Sequence, residues 1–186
     1  MALRRIHFAD DPLLRERSRR VPEITPDVRR LVDDLFETMW AAQGVGLAAV
    51  QVGVPLRVIV VGIPEDMEDP DAGTALALIN PKLVRVSKEV EEGVEGCLSV
   101  PGWAGNVPRH LRVTLKALDP KGRPVRLRAE GYLARVLQHE IDHLDGVLFI
   151  DRATEVWPVE EGEEEAVEME AASRGGLHLD LSLIHI

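Results

Sequence analysis

In the stretch LQHEIDHLDG, residues 137 to 146, two histidines stand four apart with a glutamate directly after the first. Residues at this spacing on a helix lie about 40° apart around the axis, so His139 and His143 can offer ring nitrogens to one ion. Glu140 lies about 100° round from His139, close enough to reach water at that ion without being forced to ligate it. Two nitrogens and a base on one helical turn form the HExxH arrangement of metal-assisted hydrolysis. The plain alternative is a polar stretch of an ordinary core. Burying two imidazoles and a carboxylate without partners costs on the order of several kcal/mol, a cost that a metal ion removes.

A hydrolytic metal site usually takes three protein ligands and keeps a fourth position for water, so a third ligand is required. In the longer pattern HExxHxxGxxH, Gly146 fits, but Phe149 stands where the last histidine belongs. A glutamate from a later helix, as in thermolysin-like endopeptidases, would have to come from a segment interrupted by Pro158 and Gly162. The remaining candidate lies upstream: Cys97, the only cysteine, in EGCLSVPG. A free cysteine is commonly a small buried hydrophobe. With two imidazoles, its thiolate makes a donor set that accepts Fe(II), Zn(II), Co(II) or Ni(II), and Gly96 beside it permits close backbone approach.

These residues need elements to position them. TPDVRRLVDDLFETMWAAQG carries helix signals, with Thr25 as N-cap, Pro26 in the first position and Gly44 as the stop. Its apolar face is Val28, Leu31, Val32, Leu35, Phe36, Met39 and Trp40. LRVIVVGI, ALALINPKLVRVS and LRVTLKALD are rich in β-branched residues between turn formers and predict strands. No long helix separates them, which favours antiparallel sheets in an α+β fold over a doubly wound parallel one. EGYLARVLQHEIDHLDG returns to helical spacing with apolar residues on more than one face, as expected of a helix buried nearly all round.

The chain has 186 residues, 45% hydrophobic and 29% charged, which fits one globular domain. The net charge is −10, yet residues 155 to 186 hold eight Glu and Asp180 against Arg174, or −8, leaving −2 for the rest. That division predicts a domain of residues 1–154 followed by an acidic, flexible tail, whose last segment LHLDLSLIHI alternates like a strand. The acidic balance argues against nucleic acid as a substrate. One cysteine excludes an internal disulfide, the N-terminus lacks the apolar core of a secretory signal, and no apolar run approaches the ~20 residues of a bilayer span, so the cytoplasm is expected.

Three stretches in order, GVGLAAVQVG, EGCLSVPG and QHEIDHLDG, resemble the signature motifs of the peptide deformylase family, and the likeness covers roughly residues 1 to 153. The resemblance implies antiparallel sheets packed around a central helix that carries HExxH, with an N-terminal helix. It implies removal of the formyl group from N-formylmethionyl nascent peptides. By motif position Cys97, His139 and His143 are metal ligands and Glu140 is the base. The Gln51 side-chain amide and the Leu98 backbone N–H are the oxyanion donors. Val45, Gly46, Gly96, Tyr132 and Val136 would receive the peptide, although for Tyr132 and Val136 plain core packing stands equally. One divalent ion is expected, Fe(II) foremost, with Zn(II), Ni(II) or Co(II) also suited to the donors.

Some relatives approach the ribosome through a basic C-terminal helix; a segment of −8 would be repelled by RNA, so only transient ribosome proximity is expected. Val50 departs from the family's usual residue before the glutamine. Glu95 is expected to pair with Arg109, and Asp142 and Asp145 either orient a ligand imidazole or face water. Two other readings compete: an HExxH endopeptidase, and a binder of peptide N-termini without catalysis.

Overall fold

The computed structural model describes residues 2–159 and 186. Along the chain run α1 (Pro26–Ala41), β1 (Gly46–Ala48), β2 (Val58–Gly62), β3 (Ala75–Val86), β4 (Val90–Gly96), β5 (Trp103–His110), β6 (Arg112–Leu118), β7 (Pro124–Glu130), α2 (Gly131–Leu144) and β8 (Glu155–Pro158). One sheet has the order β1-β2-β3-β6-β7 and the other β4-β5-β8. Every strand pair is antiparallel, which is the α+β class predicted.

Strand β2 shows how the layers are built. All five of its residues are buried, and successive side chains of a strand point to opposite faces. Val58 and Val60 enter a core with Leu31, Leu35 and Met39 of α1, whereas Ile59 and Val61 enter a second core with Leu133, Leu137 and Ile141 of α2. The five-stranded sheet thus separates the two helices, and its β2 is apolar on both faces for that reason. Helix α2 is buried from Leu133 to Leu144 without interruption, as its lack of a polar face predicts.

Helix α1 opens as expected: the Thr25 hydroxyl accepts the Val28 N–H at 3.4 Å, and Pro26 takes the first turn, where no N–H partner is needed. Its end differs. The helix stops at Ala41 and Gln43 adopts the left-handed conformation, φ 55°. Gly44 serves another purpose, since a Cβ there would lie 2.8 Å from Leu98 Cδ1. Trp40, expected in the core, is 58% exposed and stacks on Phe36 with ring centroids 5.1 Å apart. Gly146 does end α2 in the left-handed region, φ 76°.

The limit predicted at residue 154 is passed by β8, which pairs with β5 from Asn106↔Glu155 to Trp103↔Pro158. The rest of the predicted tail, including its strand-like last segment, lies outside the described residues apart from Val159 and Ile186.

Candidate metal centre

Three elements converge on the two histidines. Helix α2 supplies His139 and His143, and Cys97 follows β4 in a tight turn whose Val100 N–H donates to the Cys97 carbonyl at 2.9 Å. A short 3-10 turn, Ala49–Val52, follows β1 and holds Gln51. His143 Nε2 lies 3.2 Å from His139 Nε2 and 3.3 Å from Cys97 Sγ. One donor atom from each of the three residues lies within 4.8 Å of the others, and all three are buried.

The donor set fits a metal. Two nitrogens at about 2.05 Å from a tetrahedral ion stand roughly 3.3 Å apart, and a sulfur at about 2.3 Å stands roughly 3.5 Å from each nitrogen. The observed edges of 3.2 and 3.3 Å are of that size. His139 Nδ1 lies 2.8 Å from Glu95 Oε2, so the proton belongs on Nδ1 and the lone pair of Nε2 faces the other two donors. Burial pushes the His143 imidazole well below its ordinary pKa, and the neighbouring His139 adds to this, so the ring is neutral and able to ligate. Burial pushes the Cys97 thiol up to about 12; the Ser99 N–H partly offsets this, and the charges of Glu140 and Glu95 reinforce it. A cation must therefore displace that proton to gain the thiolate.

Glu140 is wholly buried, and neither of its carboxylate oxygens has a hydrogen-bond partner among the described residues. Burial raises its pKa well above the ordinary carboxylate range, and the charge of Glu95 raises it further. Gly46 makes room for it: a Cβ there would fall within 3.0 Å of Glu140 Oε1. Gln51 is fixed at both ends of its amide. Its Oε1 accepts the Ala48 N–H at 2.8 Å, so Nε2 is directed to Ser99 Oγ at 3.1 Å and Cys97 Sγ at 3.8 Å. Val50, where the chain departs from the family's usual residue, is fully buried in the same turn. Leu98 and Gly96 flank Cys97. Val45 and Val136 belong to the same buried cluster as Cys97, with Tyr132 half-buried against it.

Behind the histidines runs a buried ion network. Glu95 accepts two hydrogen bonds from Arg109, at 2.8 and 2.9 Å, and one from Arg135 at 2.9 Å. Burial pushes its pKa up, but the bonds from Arg109 and His139 prevail and hold it well below the usual carboxylate range. The Glu95–Arg109 pair is as predicted. Asp142 and Asp145 do not orient an imidazole: Asp142 binds Arg109 at 2.5 Å and Arg152 at 2.6 and 2.8 Å, and Asp145 binds Arg57 at 2.7 Å. Glu95 holds His139 instead. Sequence reasoning missed Arg135, whose cue was a cation inside a buried helix, and Ser99, whose N–H donates to Cys97 Sγ at 3.4 Å.

A buried Cys-His-His donor set beside a free carboxylate on an antiparallel α+β scaffold defines a metal-dependent hydrolase. Residues 3–157 match the family model described as polypeptide deformylase. A peptide deformylase of Thermomicrobium roseum is 55% identical over 153 residues, covering 82% of this chain and 86% of that protein. One of Natranaerobius thermophilus is 48% identical, over 87% and 99% of the two chains. The crystal structure of peptide deformylase from Thermotoga maritima superposes with a TM-score of 0.77 at 37% identity, over 83% of this chain and all of that one. The chain belongs to the peptide deformylase family, and it removes the N-formyl group from newly made peptides.

Proposed function

We propose that Cys97, His139 and His143 hold one divalent ion, that Glu140 carries the proton, and that Gln51 and the Leu98 N–H receive the oxyanion. The carrying observation is His143 Nε2 standing 3.3 Å from Cys97 Sγ and 3.2 Å from His139 Nε2, with all three donors within 4.8 Å of one another, beside a buried carboxylate with no partner of its own among the described residues. When bound, a divalent ion supplies Lewis acidity that lowers the pKa of water in the site. Glu140 takes the proton from the water that attacks the formyl carbon. Its raised pKa suits both halves of the task, since the same carboxyl must later give that proton to the departing amine as formate leaves.

The oxyanion formed at the formyl carbon needs donors set in advance, each worth about 2.7 to 4 kcal/mol of transition-state stabilisation. Gln51 meets that need, because the Ala48 N–H locks its carbonyl end and leaves the NH2 end facing Cys97. Val45, Gly46, Gly96, Tyr132 and Val136 form the wall that takes the formyl-methionyl end in this reading, with apolar surface suited to an unbranched thioether.

Iron(II) is the ion we favour, with Zn(II), Ni(II) and Co(II) compatible with the same thiolate and imidazole donors. The deformylase reading is preferred to the endopeptidase reading because Cys97 joins both histidines in the group able to hold a metal among the described residues. The substrates place the work in the cytoplasm near translating ribosomes; no described helix is long and apolar enough to cross a membrane.

The test is Glu140→Gln, assayed anaerobically on a formyl-Met peptide. It should keep one metal per chain and lose roughly 10²- to 10⁴-fold in formate release; turnover close to that of the parent would remove Glu140 from the role.

A further inference from the structure

Behind α2, a cleft of about 800 Å³ opens between the N-terminal arm and strands β3 and β6. Ile141 of α2 and Asp145, the residue that caps the end of that helix, form one wall. Each stands two residues from a ligand histidine, about 200° round the helix axis, so the cleft meets α2 from the side opposite the metal centre. Arg17, Arg20, Arg57, Lys82 and Lys116 line it against Asp145 alone, in a chain whose net charge is −10.

That single carboxylate is already engaged by Arg57 at 2.7 Å and Arg17 at 3.6 Å. Lys82, Lys116 and Arg20 form no ion pair among the described residues. Lys82 on β3 lies directly opposite Lys116 on β6, and Lys116 lies opposite Arg126 on β7. Like charges facing each other across strands destabilise a sheet. Three cations in one row, with no carboxylate between them, therefore carry a repulsion that a bound anion would relieve.

Several cations around one cleft, with a single carboxylate among them, are a donor set for phosphate oxygens. None of the described residues lining the cleft is aromatic, so there is no surface on which a base would stack, and recognition falls on the phosphates themselves. The volume falls in the range of small-molecule sites, about 300 to 1,000 Å³.

We propose that this cleft binds a small oligophosphate anion, neutralised by Lys82 and Lys116 together with the three arginines. The ligand is a free molecule with two or three contiguous phosphates, not a polynucleotide.

The experiment is calorimetric titration of inorganic triphosphate into the full-length, metal-loaded protein at low salt, with Lys116→Glu beside the parent. The parent should bind one triphosphate per chain, with an affinity that falls as salt rises. Lys116→Glu should bind at least about tenfold more weakly, with unchanged formate release. Because Lys116→Glu places a carboxylate between Lys82 and Arg126, its melting temperature should rise while binding falls, which separates lost binding from lost folding. Absence of saturable binding by the parent at millimolar triphosphate would overturn the proposal. Undiminished binding by Lys116→Glu would also overturn it, placing the anion elsewhere, the metal centre included. Displacement of triphosphate by a short RNA at a lower phosphate concentration would overturn it in favour of a polynucleotide.

Discussion

Glu140 and Gly46 are bound together by the space one leaves for the other. A carboxylate with both oxygens unpartnered is costly to bury, and it is held against β1 because residue 46 has no side chain. Gly46→Ala should push Glu140 out of place, since the added methyl meets Oε1 within 3.0 Å. The expected result is a loss of on the order of 10²-fold in kcat with metal content unchanged, measured by formate release and metal analysis on the same sample. Unchanged kcat would show that Glu140 tolerates displacement. HExxH, Cys97 and the Glu95–Arg109 pair were legible as residues because each has chemistry that needs a partner. The aim of Gln51 was not, since it depends on which end of its amide the Ala48 N–H takes.

Among the elements, the helices were readable, and five of the eight strands among the described residues were not. Thr25, Pro26 and a regular apolar face announce α1, and uninterrupted apolar character announces α2. Strands β4 and β7 are not legible because VEEGVEG and PVRLRAE each carry three charges in seven residues and few apolar ones, and their stability comes from pairing with β5 and β6. Arg135 ties these layers together: it donates to the Val107 and Glu91 carbonyls at 2.8 and 2.9 Å and to Glu95. Gly93 admits it, for a Cβ there would lie 2.7 Å from the guanidinium. Arg135→Met strips a partner from a buried carboxylate and leaves carbonyls unpaired, so it should cost about 3 kcal/mol of stability. Through Glu95 it should also loosen His139 and weaken metal binding about 10- to 100-fold. Denaturant melts and chelator competition measure the two effects; a stable variant with parental metal affinity would show that Glu95 needs only Arg109.

The N-terminal arm is fastened to α1 by Asp34, which accepts from the Ala2 N–H at 2.8 Å and from Arg4 Nε at 2.9 Å. Burial raises the Asp34 pKa, but these bonds outweigh it and the net shift is downward. A depressed carboxylate pKa contributes stability that is present above the unfolded value, about 3.9, and is lost as pH falls toward the folded value. Asp34→Asn should therefore lower stability at neutral pH and flatten its decline below about pH 4. Melting temperatures across that range measure this, and parallel curves for variant and parent would contradict it.

For the molecule as a whole, the five-stranded sheet separates two cores, and α2 stands where ion network, metal donors and basic cleft all meet. Net charge concealed that last feature. A total of −10, with −8 of it in residues 155 to 186, says nothing of five cations gathered behind one helix, because charge totals carry no position. The architecture rests on one claim, that sulfur and two ring nitrogens from distant parts of the chain share an ion. X-ray absorption at the metal edge of anaerobically purified protein tests it most directly. The account predicts one sulfur at about 2.3 Å and two imidazole nitrogens at about 2.0 to 2.1 Å, with the sulfur signal absent in Cys97→Ala. A shell of nitrogen and oxygen alone in the parent protein would contradict it.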